Sequence, residues 1–200
     1  MRLGLLGGTF DPIHIAHLWM AEHARDALAL DAVLLVPASR PPHKPDQPIS
    51  SFEHRFRMVD LAVAGIPGLE ASKLEESDQA PSYTAETLER ARASFPGADL
   101  WLVSGGDSLR DLPTWREPER ILAQVRLAVL PRPGDGEDPV VPEGACVDWL
   151  NGPRLMLSSS ALRRRAAEGE SIRFLVPDPV RAYIDTHGLY RKTRRGGEDR

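Results

Sequence analysis

The segment GGTFDPIHIAH, residues 7–17, gathers two glycines, a threonine, an Asp-Pro pair and two histidines three apart. A short apolar run precedes it, so Gly7 and Gly8 predict a sharp turn and close backbone approach to a ligand. Thr9 and the neighbouring amides can point at phosphate oxygens. A helix starting near Pro12 adds its dipole and free N–H groups, an anion site. His14 and His17 project from one face of its first turns. Two imidazoles at the positive end of a helix suit a polyphosphate whose oxygens gain charge in a transition state.

Other readings of this segment are weaker. Plain strand–helix packing explains one incidental histidine better than two beside GGTF. Zinc needs further ligands, and Cys146, His23, His43, His54 and His187 show no ligand spacing. The dinucleotide fingerprint fails on spacing, because Gly4, Gly7 and Gly8 do not fit it and the second strand ends in VPA with no acidic residue.

A second cluster is LSSSALR, residues 157–163. Serines at a helix start offer hydroxyls and amides to phosphates. Arg163, one turn on, can clamp the same oxygens with its planar fork. Taken alone, the segment reads more readily as a serine-capped surface helix with a solvated RRR. Between the two clusters, Trp115 follows LPT on a loop and can present a flat face to a ring. Tyr83 and Thr84 stand at a helix start, where amides could hold a carboxylate. Lys44 is a flexible charge on a Pro-rich loop. Asp107 follows Gly105 and Gly106 and can cap the next turn.

These residues need a scaffold, and β-α alternation supplies it. Strands are expected at 2–7, 32–38, 98–108 running into a glycine turn, 125–134, and 154–160 running into the serines, with a weak one at 69–76. Helices are expected at 14–30, 50–65, 82–95 and 117–124, then over SALRRRAAEGE and PDPVRAYIDTHG, the last stopped by Gly188. Ser50 or Ser51 caps the second helix, with Glu53 completing a capping box if Ser50 is the cap. A serine caps the helix over 82–95. The near-continuous apolar strands predict an open, doubly wound, Rossmann-like parallel sheet with a small C-terminal helical part. Ligands then bind beyond the strand ends, after Leu6, Val36, Val103, Leu130 and Leu157. Trp19, Trp101 and Trp149 fall in element-like segments and read as packing residues. Residues 135–144 read as a turn-rich surface segment.

The chain has 200 residues, 42% hydrophobic and 27% charged. That suits one domain over 1–190 with a basic, disordered tail at 191–200. Cys146 is the single cysteine, so no internal disulfide forms. With no secretory signal and no apolar run of spanning length, a cytoplasmic protein is expected. A net charge of −4 argues against general nucleic-acid affinity. The sequence leaves room for a homo-oligomer.

GGTFDPIHIAH resembles the signature of the nucleotidyltransferase superfamily with the (T/H)-x-G-H motif, although Ala16 stands where Gly is usual. LSSSALR resembles that superfamily's I-S-S-T-x-I-R element. Across nearly the whole chain, PASRPPHK, PSYTAETL, VSGGDSLRDLPTW and VLPRPG resemble blocks of bacterial nicotinate-nucleotide adenylyltransferases. The resemblance implies transfer of an adenylyl group from ATP to nicotinate mononucleotide, giving deamido-NAD and pyrophosphate, with Mg²⁺ as the accompanying ion. It implies that Gly8, Thr9, Phe10, His17, Gly105, Ser158, Ser159 and Arg163 bind ATP. It implies catalytic roles for His14, His17 and Arg163. Lys44, Tyr83, Thr84, Asp107, Trp115 and Arg132 would bind the second substrate, with no membrane or nucleic-acid partner. Arg116 stands where such families often carry Tyr. Alternatives are a related transferase acting on nicotinamide mononucleotide or phosphopantetheine, and a non-catalytic nucleotide-binding protein.

Overall fold

The computed structural model describes residues 1–40, 49–76, 83–131, 141–153 and 155–191. Six strands form one sheet: β1 (Arg2–Gly8), β2 (Ala32–Pro37), β3 (Leu69–Ala71), β4 (Asp99–Gly105), β5 (Arg126–Leu130) and β6 (Val147–Trp149). Their order is β3-β2-β1-β4-β5-β6, and every pairing is parallel. Among the described residues, seven α-helices accompany them: α1 (Ile15–Ala27), α2 (Phe52–Val63), α3 (Thr84–Ser94), α4 (Gly106–Asp111), α5 (Pro118–Leu122), α6 (Ser159–Ala167) and α7 (Asp178–Thr186). A 3₁₀ turn, Leu112–Thr114, links α4 to Trp115.

The two-residue period of the strands divides the core. Leu6, Val33, Leu35, Val103 and Ala128 face helices α1, α2, α6 and α7. Leu3, Leu5, Leu34, Leu102 and Leu127 face α3, α4 and α5. Both faces are covered, which is why the strands read as continuous apolar runs rather than alternating ones. The doubly wound expectation holds.

Several local expectations do not hold. Gly7 and Gly8 pair with Val36 and Pro37 inside β1, so they do not make the turn. The chain turns at Phe10, which takes φ +49°. Helix α1 begins at Ile15 with His14 as its N-cap, not near Pro12. Ser51 caps α2 by accepting from the His54 amide at 3.3 Å, so the box between Ser50 and Glu53 does not form. Tyr83 precedes α3 and gives no side-chain cap, while Ser82 lies outside the described residues. Gly105 and Gly106 open α4 directly.

The apolar run at 155–157 is not a strand. Leu155 and Met156 are exposed, at 42% and 79%. The sixth place in the sheet goes to Val147–Trp149, a segment with little apolar signal. Asp148 pins it there: it accepts from Trp101 Nε1 at 2.8 Å and from both Arg126 Nε and Nη2, at 2.9 and 2.7 Å. The Arg126 fork holds the Asp148 carboxyl below its ordinary value. At this sheet edge Trp149 is exposed rather than packed, whereas Trp101 is buried as expected. The tail beyond Arg191 lies outside the described residues.

Gly4 marks a tight place in the middle of β1. A methyl group there would stand 2.9 Å from Val33 Cγ2 and 3.0 Å from Leu30 Cδ1. Gly4→Ala is expected to destabilise the fold by about 1–3 kcal/mol through overpacking. An unchanged urea midpoint for that variant would refute this account of β1.

Candidate active site

The strand order reverses between β1 and β4, where the segments that follow them leave toward opposite faces. A crevice opens at such a point. Here it is a cavity of about 520 Å³. Gly7, Gly8 and Thr9 line it from the end of β1, and Ser104, Gly105 and Ser108 from β4 and α4. His17 and Met20 enter from α1, and Tyr83, Thr84 and Thr87 from the start of α3. Trp115 and Arg116 close another wall.

Why loop 9–14 can stand over this cavity is a question of satisfied polar groups. Its backbone is buried beside the sheet, so each donor and acceptor needs a partner. Arg55 of α2, 1% exposed, donates to three carbonyls, the first of them in this loop. Its Nη1 donates to Thr9 O at 2.9 Å, its Nη2 to Ser39 O at 3.0 Å and its Nε to Ser50 O at 3.0 Å. One guanidinium thus ties the ends of β1 and β2 to the start of α2. Burial pulls this guanidinium below its ordinary value, and the nearby Asp11 carboxylate is the chief counterweight.

Asp11, also 1% exposed, is the second hub. It accepts from Tyr190 Oη at 2.6 Å and from the Ser50 amide at 3.3 Å. Burial and the Asp11 charge push the Tyr190 phenol well up, so it remains a donor. Neither Arg55 nor Tyr190 stands out in the sequence. A basic residue within an apolar helical stripe was the available signal for Arg55.

The carboxy-terminal cluster meets the same loop. Ser159 Oγ donates to Pro12 O at 2.9 Å, and Arg163 Nη1 donates to Asp11 O at 2.8 Å. Ser158 caps α6 by accepting from the Ala161 amide at 3.2 Å. Arg163 Nη2 also donates to Ser160 Oγ at 3.3 Å. The two clusters, about 150 residues apart, therefore stand side by side. Their side-chain contacts run to the main chain of the loop, and Ser158, Ser159 and Arg163 are not part of the cavity wall.

The imidazoles differ in placement. His17 lines the cavity, whereas His14 is 3% exposed and lies behind it. The rings stack with centroids 3.6 Å apart and 15° between planes. The His14 amide donates to His17 Nδ1 at 3.3 Å, which turns His17 Nε2 away from the backbone. Nδ1 is thereby the acceptor, so in the neutral ring Nε2 carries the proton. Phe10 meets His17 edge-on at 5.0 Å and is buried, so it shapes the loop and does not line the cavity. Gly8 makes room for it, because a methyl there would lie 2.9 Å from the Phe10 ring.

Of the residues singled out in the sequence, Thr84, Tyr83, Trp115, Gly8, Thr9 and Gly105 also line the cavity. Asp107 sits in the first turn of α4 and is absent from the wall; Ser108, its neighbour, takes that place. Glu75 was not anticipated. It is buried on the cavity wall and accepts from Thr87 Oγ1 at 2.6 Å. Lys44 and Arg132 lie outside the described residues.

Comparison with known proteins bears on the family and the fold. The cytidylyltransferase-like family profile matches residues 5–165. A protein of Thermus thermophilus named "Probable nicotinate-nucleotide adenylyltransferase" is 45% identical, over 96% of this chain and 100% of its own length. One of the same name from Roseiflexus sp. is 46% identical, over 94% and 98%. The structure of Plasmodium falciparum nicotinic acid mononucleotide adenylyltransferase complexed with NaAD superposes with a TM-score of 0.80 at 20% identity, covering 94% of this chain and 97% of that one.

Replacing Arg55 tests the hub. Arg55→Met leaves three carbonyls without their donor and is expected to cost on the order of 3 kcal/mol. Arg55→Lys should recover only part, since a point charge cannot reach three carbonyls at once. Chemical denaturation of the three proteins reads this out. Equal stability of wild type and Arg55→Met would refute it.

Proposed function

The chain belongs to the nicotinate-nucleotide adenylyltransferase family, and from that premise we propose how its own residues perform the reaction. It is a nucleotidyltransferase of NAD biosynthesis. ATP and nicotinate mononucleotide are its substrates on this reading, and deamido-NAD and pyrophosphate its products. The observation that carries it is the single cavity wall on which His17, the start of α3 and Trp115 meet. Its volume is within the range of small-molecule sites.

A phosphate oxygen of nicotinate mononucleotide attacks the α-phosphorus of ATP in line. The bond from that phosphorus to the bridging oxygen breaks, and pyrophosphate leaves with the electron pair. The attacking phosphate is already ionised near neutral pH, so no general base is required. Positioning and charge stabilisation remain as the enzyme's work.

His17 donates from Nε2 to the α-phosphate as charge builds on its oxygens. His14 supports the phosphates from behind by holding the His17 ring in its stack. The glycine backbone at Gly8 and Gly105 lets the nucleotide approach closely. Amides at the start of α6, beside Ser158, Ser159 and Arg163, hold the remaining ATP phosphates. Trp115 stacks on the pyridine ring, and the amides at Tyr83 and Thr84 receive its carboxylate. Lys44 and Arg132 are proposed for the phosphate of the second substrate, with Asp107 on the same side.

Mg²⁺ is the ion we propose with ATP, to neutralise phosphate charge. Among the described residues no group of three or more His, Cys, Asp or Glu could hold a metal, so phosphate and water oxygens would be its main ligands. The lone Cys146 suits a reducing cytoplasm, the compartment we propose.

Pyrophosphate release on mixing the protein with ATP and nicotinate mononucleotide tests the reading directly; none above background would end it. His17→Ala should lower kcat by roughly 10²–10³, the effect of losing one preorganised donor. Unchanged turnover in that variant would remove His17 from its assigned role.

A further inference from the structure

Arg116 has no part in the mechanism above, yet it stands on the cavity wall immediately after Trp115. Its guanidinium carbon lies 4.3 Å from the centre of the Tyr83 ring. Tyr83 in turn immediately precedes α3, whose first residue, Thr84, opens on the same cavity. The chain around Arg116 is held on both sides. The Trp115 amide donates to Leu112 O at 3.0 Å, and Glu117 takes a left-handed φ of +56° before α5.

Two carboxylates flank the guanidinium. Glu86 Oε1 is 3.8 Å from Nη1 and Glu117 Oε2 is 3.9 Å from Nε. Both distances exceed hydrogen-bond length, so they orient the cation without occupying its donors. The same wall carries the buried Glu75, which accepts from Thr87. Glu117 is itself paired with Arg120 at 3.0 Å and Glu86 lies 3.9 Å from Arg90, so neither carboxylate neutralises Arg116 alone.

We propose that Arg116 is the residue that selects an acidic pyridine ring over its neutral amide. Stacked on Tyr83, its guanidinium faces the ring carboxylate while Trp115 covers the ring face. A carboxylate accepts charge-assisted bonds from the planar fork, whereas a carboxamide brings no charge and half of its polar edge is donor. This inference rests on the reading of the site as one for pyridine mononucleotides.

Steady-state kinetics of wild type, Arg116→Gln and Arg116→Lys test it, with nicotinate and nicotinamide mononucleotides compared at saturating ATP. Arg116→Gln should raise KM for the acid by about 10- to 100-fold, the scale of a lost hydrogen bond to a charged group. KM for the amide and for ATP, and kcat, should stay within about threefold. Arg116→Lys should restore part of the acid preference, because it keeps the charge but not the fork. Quenching of tryptophan fluorescence by each mononucleotide gives the same ratio without turnover. If Arg116→Gln weakens acid and amide equally, or neither, the inference is overturned while the functional reading stands. If wild type binds and uses neither mononucleotide, the functional reading fails and takes this inference with it.

Discussion

A buried guanidinium sets the geometry of this protein. Arg55 gives its donors to three carbonyls, at Thr9, Ser39 and Ser50, which belong to three separate segments. Removing such a cation from water is costly, and only well-placed acceptors and a nearby carboxylate offset that cost. The three segments must therefore take one relative arrangement or lose it together. Loop 9–14 owes its position over the cavity to this requirement, and His17 owes its direction to the loop.

The carboxy-terminal third of the chain closes the same arrangement from the other side. Ser159, Arg163 and Tyr190 all bond to Asp11 or Pro12, and the Ile15 amide donates to Leu175 O at 3.1 Å. Site residues from both halves of the chain are thus fixed against one short backbone stretch. The Ser159 hydroxyl holds the loop, and the Ser158 hydroxyl caps its own helix.

The cavity itself follows from the sheet. Helix α1 leaves β1 toward one face and α4 leaves β4 toward the other, because their apolar stripes match different sets of strand side chains. Neighbouring strands whose continuations diverge leave a gap between them at their carboxyl ends. The remaining walls, from α3 and the turn before Trp115, belong to the face opposite α1. Groups from both layers therefore meet at the gap.

Much of this was legible in the residues. Continuous apolar runs for β1, β2, β4 and β5 specify strands buried on both faces, and their alternation with helical patterns specifies parallel order. His14 with His17, the serines before Arg163, and Trp115 after LPT are patterns that stand out locally, even though Ser159 and Arg163 find their partners far along the chain. The sixth strand was not legible, because Asp148 joins the sheet through Trp101 and Arg126, contacts that no local pattern encodes. Neither was the exposure of Leu155 and Met156, since an apolar run does not say whether the sheet has a place for it. The division of labour within each motif also required the fold. His17 faces the cavity and His14 does not, and Phe10 and Asp107 lie off its wall, because burial is decided by what packs behind a loop. Arg55, Asp11 and Tyr190 form one unit only in three dimensions: residue types and spacing along the chain specify the chemistry available, whereas the pairing of buried polar groups across it decides where that chemistry is aimed.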